Sequence, residues 1–160
     1  MGQKIQKTNA ARLLDSKKIP YELVPYEVDE NDLSAIHVAA QLNEPLELVF
    51  KTLVLRGDKT GIFVCVIPGA EEVDLKKAAK ISGNKNCAMT GMKELLGLTG
   101  YIRGGCSPLG MKKLFTTVID ISAQNNPIII FSAGKIGYQV ETTITELQKA
   151  IELKLAYIIM

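Results

Sequence analysis

The sequence predicts an α+β fold arranged around a mixed, curved sheet. Short apolar runs rich in β-branched residues alternate irregularly with amphipathic stretches, without the regular strand–helix succession of a doubly wound parallel sheet. Two such runs, 50–56 and 61–67, are joined by Gly57-Asp58-Lys59-Thr60, a hairpin signal. No repeat, low-complexity segment or linker divides the chain, so its 160 residues read as one domain, 1–160.

Each element has a local cause. Thr8 or Asn9 can cap a helix carrying Ala10, Ala11, Leu13 and Leu14, which stops before Ile19-Pro20. A strand is expected from Tyr21 to Val28, with Pro25 placing it at an edge or bulge. Asp32 or Ser34 opens a second helix through Ala35, Ile36, Ala39 and Leu42, and Pro45 opens a helical turn through Leu48. After the hairpin, Asp74 caps a helix holding Leu75, Ala78 and Ala79, with Gly83 at its end. Asn86–Met89 is expected as a short strand, Thr90–Leu96 as a small helix, and Tyr101-Ile102 as a strand entering a glycine pair. Strands follow at Thr117–Ile121, Ile128–Phe131 and Tyr138–Glu141. Thr143-Ile144-Thr145-Glu146 has capping-box spacing and starts a helix with Ile144, Leu147, Ala150 and Ile151 on one face.

Composition narrows the function classes. Apolar residues make up 47% and charged residues 22%, the balance of a soluble globular protein. No apolar run approaches the roughly 20 residues of a membrane span, and Met1–Lys7 lacks a secretory signal or a myristoylation pattern, so a cytoplasmic setting is expected. Three dispersed cysteines and one histidine argue against a disulfide framework or a metal site. The net charge of +2 is too small to announce nucleic-acid binding, although lysines cluster at 76, 77, 80 and 85 and at 112–113. Those clusters are either solvated surface or a path for a polyanion.

Conventional catalytic patterns are missing. His37 lies among Ile36, Val38 and Ala39, away from any serine nucleophile pattern, and phosphate-binding glycine motifs are absent. Three other features can carry chemistry. Strand alternation puts Lys51 on the face of Val49, Leu53 and Leu55, so its ammonium must find an anion, lose its proton or reach back to water. Gly104-Gly105 before Cys106-Ser107-Pro108 makes a tight loop whose bare amides either face a ligand or merely turn the chain. Ser132-Ala133-Gly134-Lys135 is a strand-end loop from which a hydroxyl could reach a pocket.

Taken in order, Lys51-Thr52-Leu53, Asp74-Leu75-Lys76-Lys77-Ala78-Ala79, Thr99-Gly100-Tyr101, Gly104-Gly105-Cys106-Ser107-Pro108-Leu109-Gly110 with Lys112-Lys113, and Ser132-Ala133-Gly134-Lys135 resemble the YbaK/EbsC family of Cys-tRNA(Pro) deacylases. The match runs from Thr8 to the final helix. The resemblance implies a barrel-like mixed sheet flanked by helices, similar to the editing domain inserted in bacterial prolyl-tRNA synthetases. It implies removal of cysteine mischarged onto tRNA(Pro), in trans beside prolyl-tRNA synthetase, because a pocket shaped for proline rejects cysteine poorly. It also implies that the substrate thiol attacks its own ester, so that no enzyme nucleophile, metal or cofactor is needed.

Carried over residue by residue, the resemblance makes Lys51, orienting the aminoacyl ester or the terminal ribose-phosphate, and Gly104 and Gly105, supplying loop amides, the catalytic positions, and Tyr26, Ser34, Thr52, Ser107 and Ser132 the substrate-binding ones. Relatives commonly carry an aliphatic residue at Cys106, which reads as packing. Two departures touch amino-acid selectivity: Ser34 or a neighbour stands where the family has an aromatic, and Ile136 where a basic residue often follows the late-loop lysine. Two other readings remain open, a deacylase for another misacylated tRNA such as Ala-tRNA, and a non-catalytic module that binds tRNA or a synthetase.

Overall fold

The computed structural model describes residues 8–29 and 31–160. The readings made of Met1–Lys7 lie outside the described residues. In chain order the elements are α1 (Asn9–Ser16), β1 (Glu22–Pro25), α2 (Ala35–Leu42), a 3-10 turn (Leu46–Leu48), β2 (Phe50–Gly57), β3 (Gly61–Pro68), α3 (Leu75–Ser82), β4 (Cys87–Met89) and α4 (Met92–Thr99). There follow β5 (Thr117–Asp120), a 3-10 segment (Ile121–Asn125), β6 (Ile129–Ser132), β7 (Tyr138–Thr142), α5 (Ile144–Ala150) and β8 (Leu153–Ala156).

The α+β class stands, but the sheet is not a closed barrel. The described strands form two open sheets, one ordered β1-β7-β6 and the other β4-β2-β3-β5-β8. The first is antiparallel; the second joins antiparallel pairs around β2 to parallel pairs β3–β5 and β5–β8. A lone parallel bridge, Val49 to Ile130, connects the two. The strands at the sheet ends, β1 in one and β4 and β8 in the other, pair with no strand on their outer sides among the described residues.

Most helix ends follow from their caps. Thr8, Ser34 and Asp74 accept backbone amides at the starts of α1, α2 and α3, while left-handed Asn43 and Gly83 end α2 and α3. At α5 the box is half built: Thr143 Oγ1 accepts from Glu146 N at 3.1 Å, but Glu146 turns its carboxylate to Lys149. The expected strand at Tyr101-Ile102 does not form, because the Tyr101 amide bonds Thr99 Oγ1 at 3.0 Å after a left-handed Gly100. β1 is shorter than expected, and β8 was not expected at all. Its residues Leu153–Ala156 alternate weakly and gain strand structure by pairing with β5, which is distant in sequence.

The central strand β3 explains the layering. Val64 and Val66 point to one core, with Phe50, Ile119, Ile129, Phe131 and Val140, under α1 and α5. Phe63, Cys65 and Ile67 point to the opposite core, with Leu55, Ala78 of α3 and Ile158. A strand buried on both faces reads as the unbroken apolar run Ile62–Ile67. A third cluster, Val38, Ala39, Leu48, Val49 and Ile130, seats α2 where the two sheets meet. Among the described residues no helix is long and apolar enough to cross a membrane.

Candidate active site

A cleft of about 710 Å³ opens beside β2, within the range of small-molecule sites. Its cause is a gap in the sheet. The second edge of β2 is paired with β4 only at Leu55–Gly57, and Val54 O accepts from Thr90 N at 3.0 Å. At the other end Val49 is bridged to Ile130. Between these closures, Phe50–Leu53 has no neighbouring strand on that side among the described residues, and all four residues line the cleft. Tyr26, Asp32, Ser34, Met89, Met92, Leu95, Arg103, Gly104, Ser132 and Gln139 also line it.

Six of the eight expected residues share this cleft: Lys51, Thr52, Tyr26, Ser34, Gly104 and Ser132. Lys51 lies opposite Ile67 in the hairpin, in the row continued by Leu53 and Leu55, as alternation predicts. It is half-buried, and its ammonium makes no hydrogen bond or ion pair to another described residue. Thr52 Oγ1 is shielded from solvent and also lacks a partner. Such a buried, unpaired hydroxyl costs about 1–3 kcal/mol. Ser34 caps α2 by accepting from His37 N, and Ser132 Oγ accepts from Gly134 N at 3.1 Å.

Gly104 has φ +85, the left-handed region, and a Cβ there would sit 3.0 Å from Leu33 Cδ1. Glycine is thus required for the loop to pass beneath Leu33. Gly105 is outside the cleft lining: its N–H bonds Ile102 O at 3.0 Å, and the residue is buried near Ile136. Ser107 is placed similarly. It is fully buried, outside the cleft lining, and its Oγ accepts from Leu109 N at 3.2 Å. Ile136 packs on both glycines from the late loop.

Among the described residues, three charged ones line the cleft, Lys51, Arg103 and Asp32. The Ser34 hydroxyl and amide hold the Asp32 carboxyl below the usual range, so it is a carboxylate at neutral pH. The described residues of the lining thus contribute two cations against one carboxylate. Cys106 lines it, yet burial pushes its thiol up to about 12, which keeps it protonated and poor as a nucleophile. His37 is outside the lining, its Nε2 2.9 Å from Glu27 O. The cleft thus brings together hydrogen-bonding groups and cations without a nucleophile–histidine pair. Arg103, Asp32 and Gln139 were not among the expected site residues. Adjacency to the glycine pair is the signal that could have found Arg103; Gln139 is legible only once β7 pairs with β6, opposite Ser132.

Fold and cleft together define a small α+β domain whose described cleft residues offer cations and hydrogen-bonding groups. The chain belongs to the aminoacyl-tRNA editing domain family, whose model matches residues 30–150. It is 52% identical over 136 residues to EbsC of Enterococcus faecalis (strain ATCC 700802 / V583), assigned as a Cys-tRNA(Pro)/Cys-tRNA(Cys) deacylase, covering 85% of this chain and 83% of that one. A proline–tRNA ligase of Burkholderia multivorans is 24% identical over 140 residues; the match covers 85% of this chain but only 24% of the ligase. Among solved structures, one assigned as a trans-editing enzyme for prolyl tRNA synthetase superposes with TM-score 0.83 at 20% identity, covering 95% of each chain. The hypothetical protein APE2540 superposes with TM-score 0.87 at 20% identity, covering 96% of this chain and all 100% of that one. These two likenesses show the fold alone.

Proposed function

We propose that this protein, read as a single editing domain over 1–160, is a trans-acting deacylase that removes cysteine from mischarged tRNA(Pro). The observation that carries the reading is the cleft itself: Lys51 and Gly104 line it, and no activated nucleophile does. The 52% identity to EbsC supports the choice of a cysteinyl ester. The setting is cytoplasmic, where charged tRNA is found, and prolyl-tRNA synthetase, the source of the error, is the proposed partner.

The reacting group is the substrate's own thiol. Its sulfur attacks the ester carbonyl, forming a C–S bond; the carbonyl carbon then releases the ribose oxygen, which takes the thiol proton. The products are a cyclic thiolactone and tRNA with a free terminal hydroxyl. Water later opens the thiolactone. A free thiol has pKa of about 8.5, and the two cations of the lining raise its thiolate fraction. Lys51 steers the ester and stabilises the oxyanion, assisted by the Gly104 backbone amide. Tyr26, Thr52 and Ser132 hold the aminoacyl group, and the small Ser34 leaves that wall open where relatives carry an aromatic.

The test is a panel of Cys-, Ser- and Ala-tRNA, assayed with and without prolyl-tRNA synthetase. Cysteinyl ester is cleaved selectively, and Lys51→Ala loses about 100-fold or more in rate. Full activity of Lys51→Ala would remove the site. Equal cleavage of all three esters would instead support a water-based deacylase of another specificity, and tRNA binding without turnover a non-catalytic module.

A further inference from the structure

Arg103 is the cation in the cleft whose role is still unassigned. It directly precedes Gly104, is exposed at the mouth, and lines the same cleft as the half-buried Lys51. Its guanidinium has one side-chain contact among the described residues, Nη1 to Met92 Sδ at 3.3 Å. A thioether is a weak acceptor, so this contact orients the group without neutralising it. Arg56 on β2 is the contrast: both its terminal nitrogens bond Glu94, at 3.2 and 2.8 Å. Asp32, the acidic residue of the cleft among those described, already accepts from Ser34 N. Arg103 therefore presents a planar fork of donors to whatever enters the mouth.

The cleft's 710 Å³ equals room for about two dozen waters, more than a cysteinyl group fills. The remainder must take the nucleotide that carries the ester. In an aminoacylated RNA the nearest phosphate is one ribose away from the ester carbonyl. A cation holding that phosphate therefore belongs at the rim, and one holding the ester belongs deeper. Guanidinium matches phosphate with two parallel hydrogen bonds, which a lysine cannot do. We propose that Arg103 binds the phosphate of the aminoacylated terminal nucleotide, leaving Lys51 to the reacting ester. This rests on the deacylase reading above.

The experiment compares wild type, Arg103→Gln and Arg103→Lys on Cys-tRNA(Pro), on 3′-O-cysteinyl-adenosine and on its 5′-phosphate. Arg103→Gln raises KM for the tRNA about tenfold with kcat within about twofold, and Arg103→Lys falls between, keeping charge without the fork. The slope of log kcat/KM against log salt becomes shallower by about 0.7, the increment for one phosphate contact on a single strand. Wild type prefers the 5′-phosphate ester, Arg103→Gln does not, and both cleave the ester lacking phosphate equally. Equal loss on the two small esters, or an unchanged salt slope, overturns the assignment. If wild type cleaves none of the three, the deacylase reading fails. Titration of an uncharged CCA trinucleotide then decides Arg103 alone: equal affinity of wild type and Arg103→Gln sinks it.

Discussion

Tyr101→Phe removes one oxygen atom and tests what holds the glycine loop against the cleft. Tyr101 is buried, and its hydroxyl donates to Leu109 O at 2.6 Å across the loop that contains Gly104. Leu109 is wholly inaccessible, so no solvent replaces the lost donor. The ring is wedged closely enough that a Cβ on Gly134 would come 2.7 Å from its Cε1, so the space does not reorganise freely. Leaving a buried carbonyl unsatisfied costs about 1–3 kcal/mol. At about 2–4 °C per kcal/mol for a domain of this size, the melting midpoint falls by about 2–12 °C. Differential scanning calorimetry measures it, and kcat/KM for the cysteinyl ester falls along with it because the Gly104 wall loosens.

The same residue predicts a pH dependence. Burial, aided by nearby Cys106, pushes the Tyr101 phenol up to about 12, against about 10 in the unfolded chain. Stability from this group is complete below pH 10 and is lost as pH rises towards 12, because the unfolded chain ionises first. Tyr101→Phe removes that part of the alkaline slope. Tyr21, Cys65 and Cys106, also pushed up to about 12, supply further parts of it. A variant melting within 1 °C of the parent, with its alkaline slope intact, would refute this account of the loop.

Three other outcomes are expected. Gly104→Ala forces an alanine into φ +85 beneath Leu33, so stability falls by about 1–2 kcal/mol while ester cleavage, measured at saturating substrate, falls about 100-fold through misplacement of the loop. Glu141→Gln raises the melting midpoint at neutral pH: burial first, then Glu44 and Glu22 push the Glu141 carboxyl up, so the folded state is penalised once the group ionises. That gain disappears in melts below about pH 4, where the carboxyl is protonated in both states. Asp74→Ala removes the acceptor for Lys76 N and Lys77 N at the start of α3, costing about 1 kcal/mol, or about 2–4 °C, with hydrolysis unchanged because α3 lies outside the cleft.

Local chemistry was legible in the linear chain. The caps at Thr8, Ser34 and Asp74, the hairpin through Gly57–Thr60 and the inward row of Lys51 depend on residues within a few positions of one another. Backbone satisfaction and strand alternation are short-range effects, which is why a sequence reading reaches them. The motif resemblance added the family, and six of the eight candidates it named line one cleft.

Distant contacts decided the rest. Leu153–Ala156 becomes a strand only because β5 offers it an edge. Gly105 and Ser107 turn away from the cleft because Ile102 O and Leu109 N claim their hydrogen bonds. Arg103 reaches the mouth of the cleft because the loop folds back towards the open edge of β2. Hydrogen-bond demand is written residue by residue, but which partner meets it depends on what packing brings near, and that is settled only in three dimensions.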